Sequence, residues 1–170
     1  AFLKIAEGCS NGCAFCIIPK LRGRYRSRSM EALVEEARGL AASGVKELIV
    51  IAQDITRYGL DRKDGSTLAK LLDRLCELDF HWIRLHYLYP EAVTDELIET
   101  IARQPKILHY LDIPIQHCND AILKAMRRRN TRAEIEALFA KLRKAMPDVV
   151  LRTSLICGLP GEGEAEFEEL

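Results

Sequence analysis

Residues 30–52 read MEALVEEARGLAASGVKELIVIA, and the pattern changes once along the way. From Met30 to Ala42 the apolar residues Leu33, Val34, Ala37, Leu40 and Ala41 recur at the spacing of one helix face, and Gly44 supplies a stop. Glu47 to Ala52, ELIVIA, is then a near-continuous apolar run, which suits a parallel strand covered on both faces. A helix feeding such a strand is one unit of a strand–helix repeat.

The alternation extends in both directions. Upstream, Phe2 to Ala6 reads as a first strand. Downstream, Leu68 to Leu78 is amphipathic, Trp82 to Leu88 is strand-like, and Thr94 caps a helix running to about Ala102 with acids in its first turn. Leu108 to Ile115 is a strand cut by Pro114. Asn119 caps a helix through Met126, and Thr131 caps another that ends near Met146, ahead of Pro147. Val149 to Cys157 is the last strand, and a helix starts at Glu162. Five strands, each followed by helix, predict an α/β fold: an open or partly closed (β/α) barrel of the TIM type. Residues 1–170 form one domain by this reading. Because a strand begins almost at residue 1 and a helix is cut at Leu170, the chain is expected to be a fragment of a longer protein.

Composition narrows the class. The chain is 48% hydrophobic and 29% charged, as a globular domain is. No apolar run approaches the roughly 18 residues of a membrane span and no leader opens the chain, so the expectation is a cytoplasmic protein. Lys and Arg number 25, as do Asp and Glu, so no global field attracts nucleic acid. Two basic clusters remain. Lys20, Arg22, Arg24, Arg26 and Arg28 are read either as surface charge or as a docking patch for an anionic partner; Arg127, Arg128 and Arg129 are read as solvated surface charge.

The chemistry sits directly after the first strand, in Cys9-Ser10-Asn11-Gly12-Cys13-Ala14-Phe15-Cys16. Three cysteines within eight residues are too crowded for a disulfide framework. Three thiolates on one loop suit three irons of a 4Fe–4S cube and leave the fourth iron open, which is a mark of chemistry rather than of support. Gly8 and Gly12 permit the tight turns needed to wrap such a group. A zinc-stabilised binding module without catalysis is the alternative of another class, but no second cysteine pair is present for it. Cys76 reads as packing, and Cys118 and Cys157 as incidental.

At these residues the chain resembles the radical S-adenosylmethionine (radical SAM) superfamily, whose signature is this three-cysteine loop with an aromatic, here Phe15, before the last cysteine. The resemblance implies the radical SAM type of partial barrel. It also implies a 4Fe–4S cluster on Cys9, Cys13 and Cys16, and S-adenosylmethionine chelated at the free iron and cleaved by one electron from a reducing donor. Glu7-Gly8-Cys9, Cys16-Ile17-Ile18-Pro19, Arg22-Gly23, Ala52-Gln53-Asp54 and Gly158-Leu159-Pro160-Gly161-Glu162 are further similar to the methylthiotransferase family. Leu85-His86-Tyr87-Leu88-Tyr89-Pro90 and Leu111-Asp112-Ile113-Pro114-Ile115-Gln116-His117 resemble its RimO-type branch. That branch modifies an aspartate of small-subunit ribosomal protein S-twelve. The MiaB-type branch, which modifies a tRNA adenosine, tends to carry Ser-His-Pro and Gln-Ser-Gly elements at those places.

The implied partners are therefore ribosomal protein S-twelve, a reducing electron donor, no membrane, and nucleic acid only through the ribosome. Family members also carry an N-terminal auxiliary-cluster domain and a C-terminal TRAM barrel, both absent from this chain. Gln53, Gln116 and Arg152 fall at or near carboxyl ends of strands, where they reach the cofactor, cap loops or dock substrate. Ser154 lies in a stretch that resembles the family's adenine-contacting strand, and the offset of Glu162 by one position leaves it without an assigned role.

Overall fold

A computed structural model describes residues 1–170. Five parallel strands form the main sheet: β1 (Phe2–Lys4), β4 (Glu47–Ile51), β5 (Trp82–Leu85), β6 (Ile107–Asp112) and β7 (Val150–Arg152), lying side by side in that order. A separate antiparallel pair joins β2 (Ala6–Glu7) to β3 (Arg26–Ser27). Between the main strands run α2 (Met30–Ala42), α3 (Leu68–Cys76), α4 (Asp95–Arg103), α5 (Asp120–Ala125) and α6 (Arg132–Ala145). The short α1 (Ile18–Arg22) follows the cysteine loop and α7 (Glu164–Glu169) follows the last strand. The parallel order with helical crossovers is the expected α/β arc of a partial barrel.

Local chemistry sets the helix limits. Ser29, Thr67, Thr94, Asn119 and Thr131 each accept a backbone N–H of the first turn of the helix they open, and Thr131 with Glu134 completes a capping box. Gly44 ends α2 with a left-handed backbone, φ 88°, that lets its N–H donate to the Ala41 carbonyl at 2.9 Å. One row of side chains then ties the sheet to these helices. Leu3, Val50, Leu85, Leu111 and Leu151 stand in register across all five strands, and the first four are fully buried.

Four expectations shift. The strand expected over 2–6 splits after Lys4. Ile5 donates to the Ile51 carbonyl but accepts from Arg28, so the chain changes partner there and enters the β2–β3 pair. β4 is not covered on both faces. Leu48 and Val50 are buried against the helices, while Glu47, Ile49 and Ile51 are half-open on the inner side, because five strands do not close into a ring. The strand over 82–88 stops at Leu85, ahead of Tyr87 with its positive φ of 66°. The strand over 149–157 shortens to β7 because the Thr153 hydroxyl donates to Ile113 O and accepts from Ile115 N, replacing ladder bonds. Only the Gln116–Leu155 bridge continues the pairing.

Candidate active site

The cysteine loop follows β2, just beyond the carboxyl end of β1, and is anchored along its length. Gly8 opens it at φ 81°, and a Cβ there would lie 2.4 Å from the Arg24 carbonyl oxygen, so only glycine fits. Cys9 N–H donates to Gly23 O at 3.1 Å, Tyr25 N–H donates to the Ser10 hydroxyl at 3.2 Å, and Ala14 N–H donates to Met126 O at 2.9 Å. The Asn11 amide donates to Asp54 Oδ2 at 2.8 Å. Asp54 is fully buried, accepts from the backbone and hydroxyl of Thr56, and lies 3.3 Å from the Arg57 guanidinium. The loop is thus bolted to the loop after β4 through one carboxylate.

Cys9, Cys13 and Cys16 all border one cavity of about 450 Å³ at the carboxyl ends of the strands. Phe15, Gln53, Gln116 and Ser154 line it too, so four of the five residues expected to meet a cofactor meet the thiols in one space. Arg152 does not. Its guanidinium turns to Asp112, 2.6 Å away and fully buried, whose other oxygen lies 3.4 Å from His86 Nδ1. Charge pairing with a desolvated carboxylate holds Arg152 away from the cavity.

Further lining residues that were not expected as ligand contacts include Tyr87, Tyr89 and Arg128. Both tyrosines stand in the stretch 85–90 that resembles the RimO-type branch, and Tyr87 also falls within the strand expected over 82–88. Arg128 is a correction. It is only 8% exposed, not solvated; its guanidinium stacks 3.9 Å above the Tyr89 ring and donates to Pro114 O. Sequence shows the arginine run but not the chain reversal at Arg127, φ 57°, that turns the middle member inward.

The cavity fits a cluster with a bound organic cofactor. No three Cys, His, Asp or Glu side chains converge closely enough to share one metal ion. A single zinc would need its thiolates about 2.3 Å from a common point, whereas a cube offers each thiolate a separate iron. Burial pushes the Cys9 thiol above its ordinary value, so its ligation displaces a proton. The side-chain oxygens of Gln53 and Asn11, both cavity-lining, are buried without a partner and await a donor. Cys76, Cys118 and Cys157 lie outside the cavity.

The radical SAM superfamily model matches residues 3–170. The chain belongs to the radical SAM superfamily. Among curated proteins it is 58% identical over 171 residues to the "Ribosomal protein uS12 methylthiotransferase RimO" of Pelobacter propionicus, covering all of this chain and 38% of that protein. It is 56% and 53% identical to the proteins of the same name in Caldanaerobacter subterraneus and Geobacter sulfurreducens, covering 39% and 38% of them. The chain therefore spans under two-fifths of the length of these relatives. Among solved structures, the radical SAM methyltransferase TsrM of Kitasatospora setae superposes with a TM-score of 0.75 at 18% identity, over 99% of this chain and 32% of that one. The cobalamin-dependent radical SAM enzyme OxsB gives 0.74 at 16% identity, over 99% of this chain and 25% of that one. These two likenesses bear on the radical SAM fold. No helix is long and apolar enough to cross a membrane.

Proposed function

We propose that the chain is the radical SAM core of a methylthiotransferase that modifies an aspartate of ribosomal protein uS12. The observation that carries the chemistry is the cavity where three thiols of one loop face Gln53, Gln116 and Ser154. In this reading Cys9, Cys13 and Cys16 hold a 4Fe–4S cluster. When bound, cluster and S-adenosylmethionine together supply a carbon radical able to abstract hydrogen from the substrate. The protein binds, orients and shields. Phe15 packs beside the thiols, the unpaired Gln53 oxygen accepts from the cofactor's amine or hydroxyl groups, and Gln116 and Ser154 complete the polar wall. Tyr87, Leu88, Tyr89, Pro114 and Ile18 give the cavity an apolar lining that keeps water from the reacting atoms.

The substrate reading rests on the relatives, whose printed names specify uS12, and the neutral charge agrees with a protein rather than a tRNA substrate. Such a substrate places the enzyme in the cytoplasm. The electron comes from a separate reducing partner, and methylthiolation needs segments that the longer relatives contain.

Anaerobic reconstitution tests the core reading. Iron and sulfide should bind, and S-adenosylmethionine with a reductant should yield 5′-deoxyadenosine, with Cys13→Ala inactive. Zinc uptake without iron or sulfide would end it. Residues 1–170 grafted into the Geobacter sulfurreducens relative, in place of its matching segment, test the substrate. uS12 should gain the mass of a methylthio group less the hydrogen it replaces, and a gain on tRNA instead would overturn that assignment.

A further inference from the structure

Two stretches far apart in sequence meet beside one of the three thiols. The Tyr89 hydroxyl lies 3.1 Å from Cys13 Sγ. Arg128 covers the same ring at 3.9 Å, and its guanidinium is held by a bond of 2.9 Å to Pro114 O. Both approaches are built by unusual backbone. Tyr87 and Arg127, at φ 66° and 57°, occupy the left-handed region that non-glycine residues seldom adopt, and each stands just upstream of the residue it aims. Tyr89 is also fixed from behind, its N–H donating to the Thr56 hydroxyl at 3.3 Å. That threonine binds Asp54, which binds the cysteine loop through Asn11. Cys13 alone of the three thiols receives a side-chain hydroxyl.

We propose that Tyr89 and Arg128 are a positioning pair that holds the Cys13 sulfur and raises the reduction potential of the cluster bound there. The inference rests on the cluster reading above. A cysteine bound to iron is a thiolate and has no proton to give, so in the loaded site the phenol is the donor. One-electron reduction takes the cube from 2+ to 1+ and adds negative charge that the ligand sulfurs share. A donor on sulfur stabilises that form, and hydrogen bonds to sulfur are among the determinants of cluster potentials. The cation above the ring draws electron density from the phenol and strengthens its O–H as a donor. Arg128 thus acts through Tyr89 rather than by touching the cluster.

The test is a redox titration of the reconstituted chain with dithionite, followed by the signal of the reduced cluster, beside iron and sulfide analysis. Tyr89→Phe keeps the ring and removes only the hydroxyl. It should shift the midpoint to more negative potential with iron content unchanged. Arg128→Met keeps a stem of similar length and should shift it the same way by less. In the Tyr89→Phe background, Arg128→Met should add nothing. Tyr58→Phe, which loses a bond to Arg28 O away from the cavity, is the control and should leave the midpoint in place. An unchanged midpoint in Tyr89→Phe, or a loss of iron from it, overturns the proposal. An undiminished Arg128→Met shift in the double variant shows a direct charge effect and overturns the relay. A wild type that takes up no iron overturns the cluster reading and this inference with it, which separates the two failures.

Discussion

Gly8 and Gly12 bracket the first ligand, and both have positive φ, 81° and 68°. Replacing either by alanine carries the left-handed penalty of an L-residue, about 1–2 kcal/mol. There the likeness ends. A Cβ on Gly12 meets nothing within 4 Å, whereas on Gly8 it would stand 2.4 Å from Arg24 O, 2.7 Å from Gly23 O and 2.8 Å from Arg24 C. Those are backbone atoms that no rotamer change moves aside, and overpacking of this kind adds about 1–3 kcal/mol, here at the upper end. Gly12→Ala should therefore cost about 1.5 kcal/mol and Gly8→Ala about 4 kcal/mol. At roughly 2–4 °C per kcal/mol for a domain of this size, the melting point should fall by about 3–6 °C for Gly12→Ala and about 8–16 °C for Gly8→Ala. The displaced backbone also carries the Cys9 N–H bonded to Gly23 O, so Gly8→Ala should lose bound iron while Gly12→Ala keeps most of it. Calorimetry of the metal-free chain and iron analysis after reconstitution read both effects. Equal losses of stability in the two variants would refute the argument that close approach, rather than backbone freedom, makes Gly8 necessary.

Asp54→Asn keeps the shape but removes the charge facing Arg57 and an acceptor of the buried network; it should destabilise by about 2–3 kcal/mol in urea unfolding and lower iron uptake by loosening Asn11. Leu85→Ala empties the middle of the buried row across the sheet and should cost about 3 kcal/mol, with the midpoint shifted and the m-value unchanged. Burial pushes the Cys76 thiol up to about 11, above its ordinary value of 9.0. The folded chain then holds a proton that the unfolded chain releases, so this stability is present below pH 9 and is lost as pH rises towards 11. Cys76→Ala should flatten the fall of unfolding free energy over that window, and an unaltered slope would exclude the thiol as its source.

Much of the fold is legible because its signals are local. Ser29, Thr67, Thr94, Asn119 and Thr131 open their helices through contacts within three residues, and α2 with its Gly44 stop needs no tertiary information. The cysteine loop is legible for the same reason, since its ligands lie within eight residues. Arg152 and Arg128 are not legible. Each side chain has two places to go, the cavity or elsewhere, and the choice rests on partners far away in sequence: Asp112 for Arg152, and Tyr89 and Pro114 for Arg128. Strand ends fail likewise where Thr153 replaces ladder bonds with its hydroxyl.

The amino-acid order by itself determined the alternation of strands and helices and the three-thiol loop, because hydrophobic period, capping and ligand spacing are short-range properties. Tertiary structure alone decided which polar groups share the cavity with those thiols. Long side chains settle by pairing buried charges and filling donors, and those partners become neighbours only when the sheet assembles.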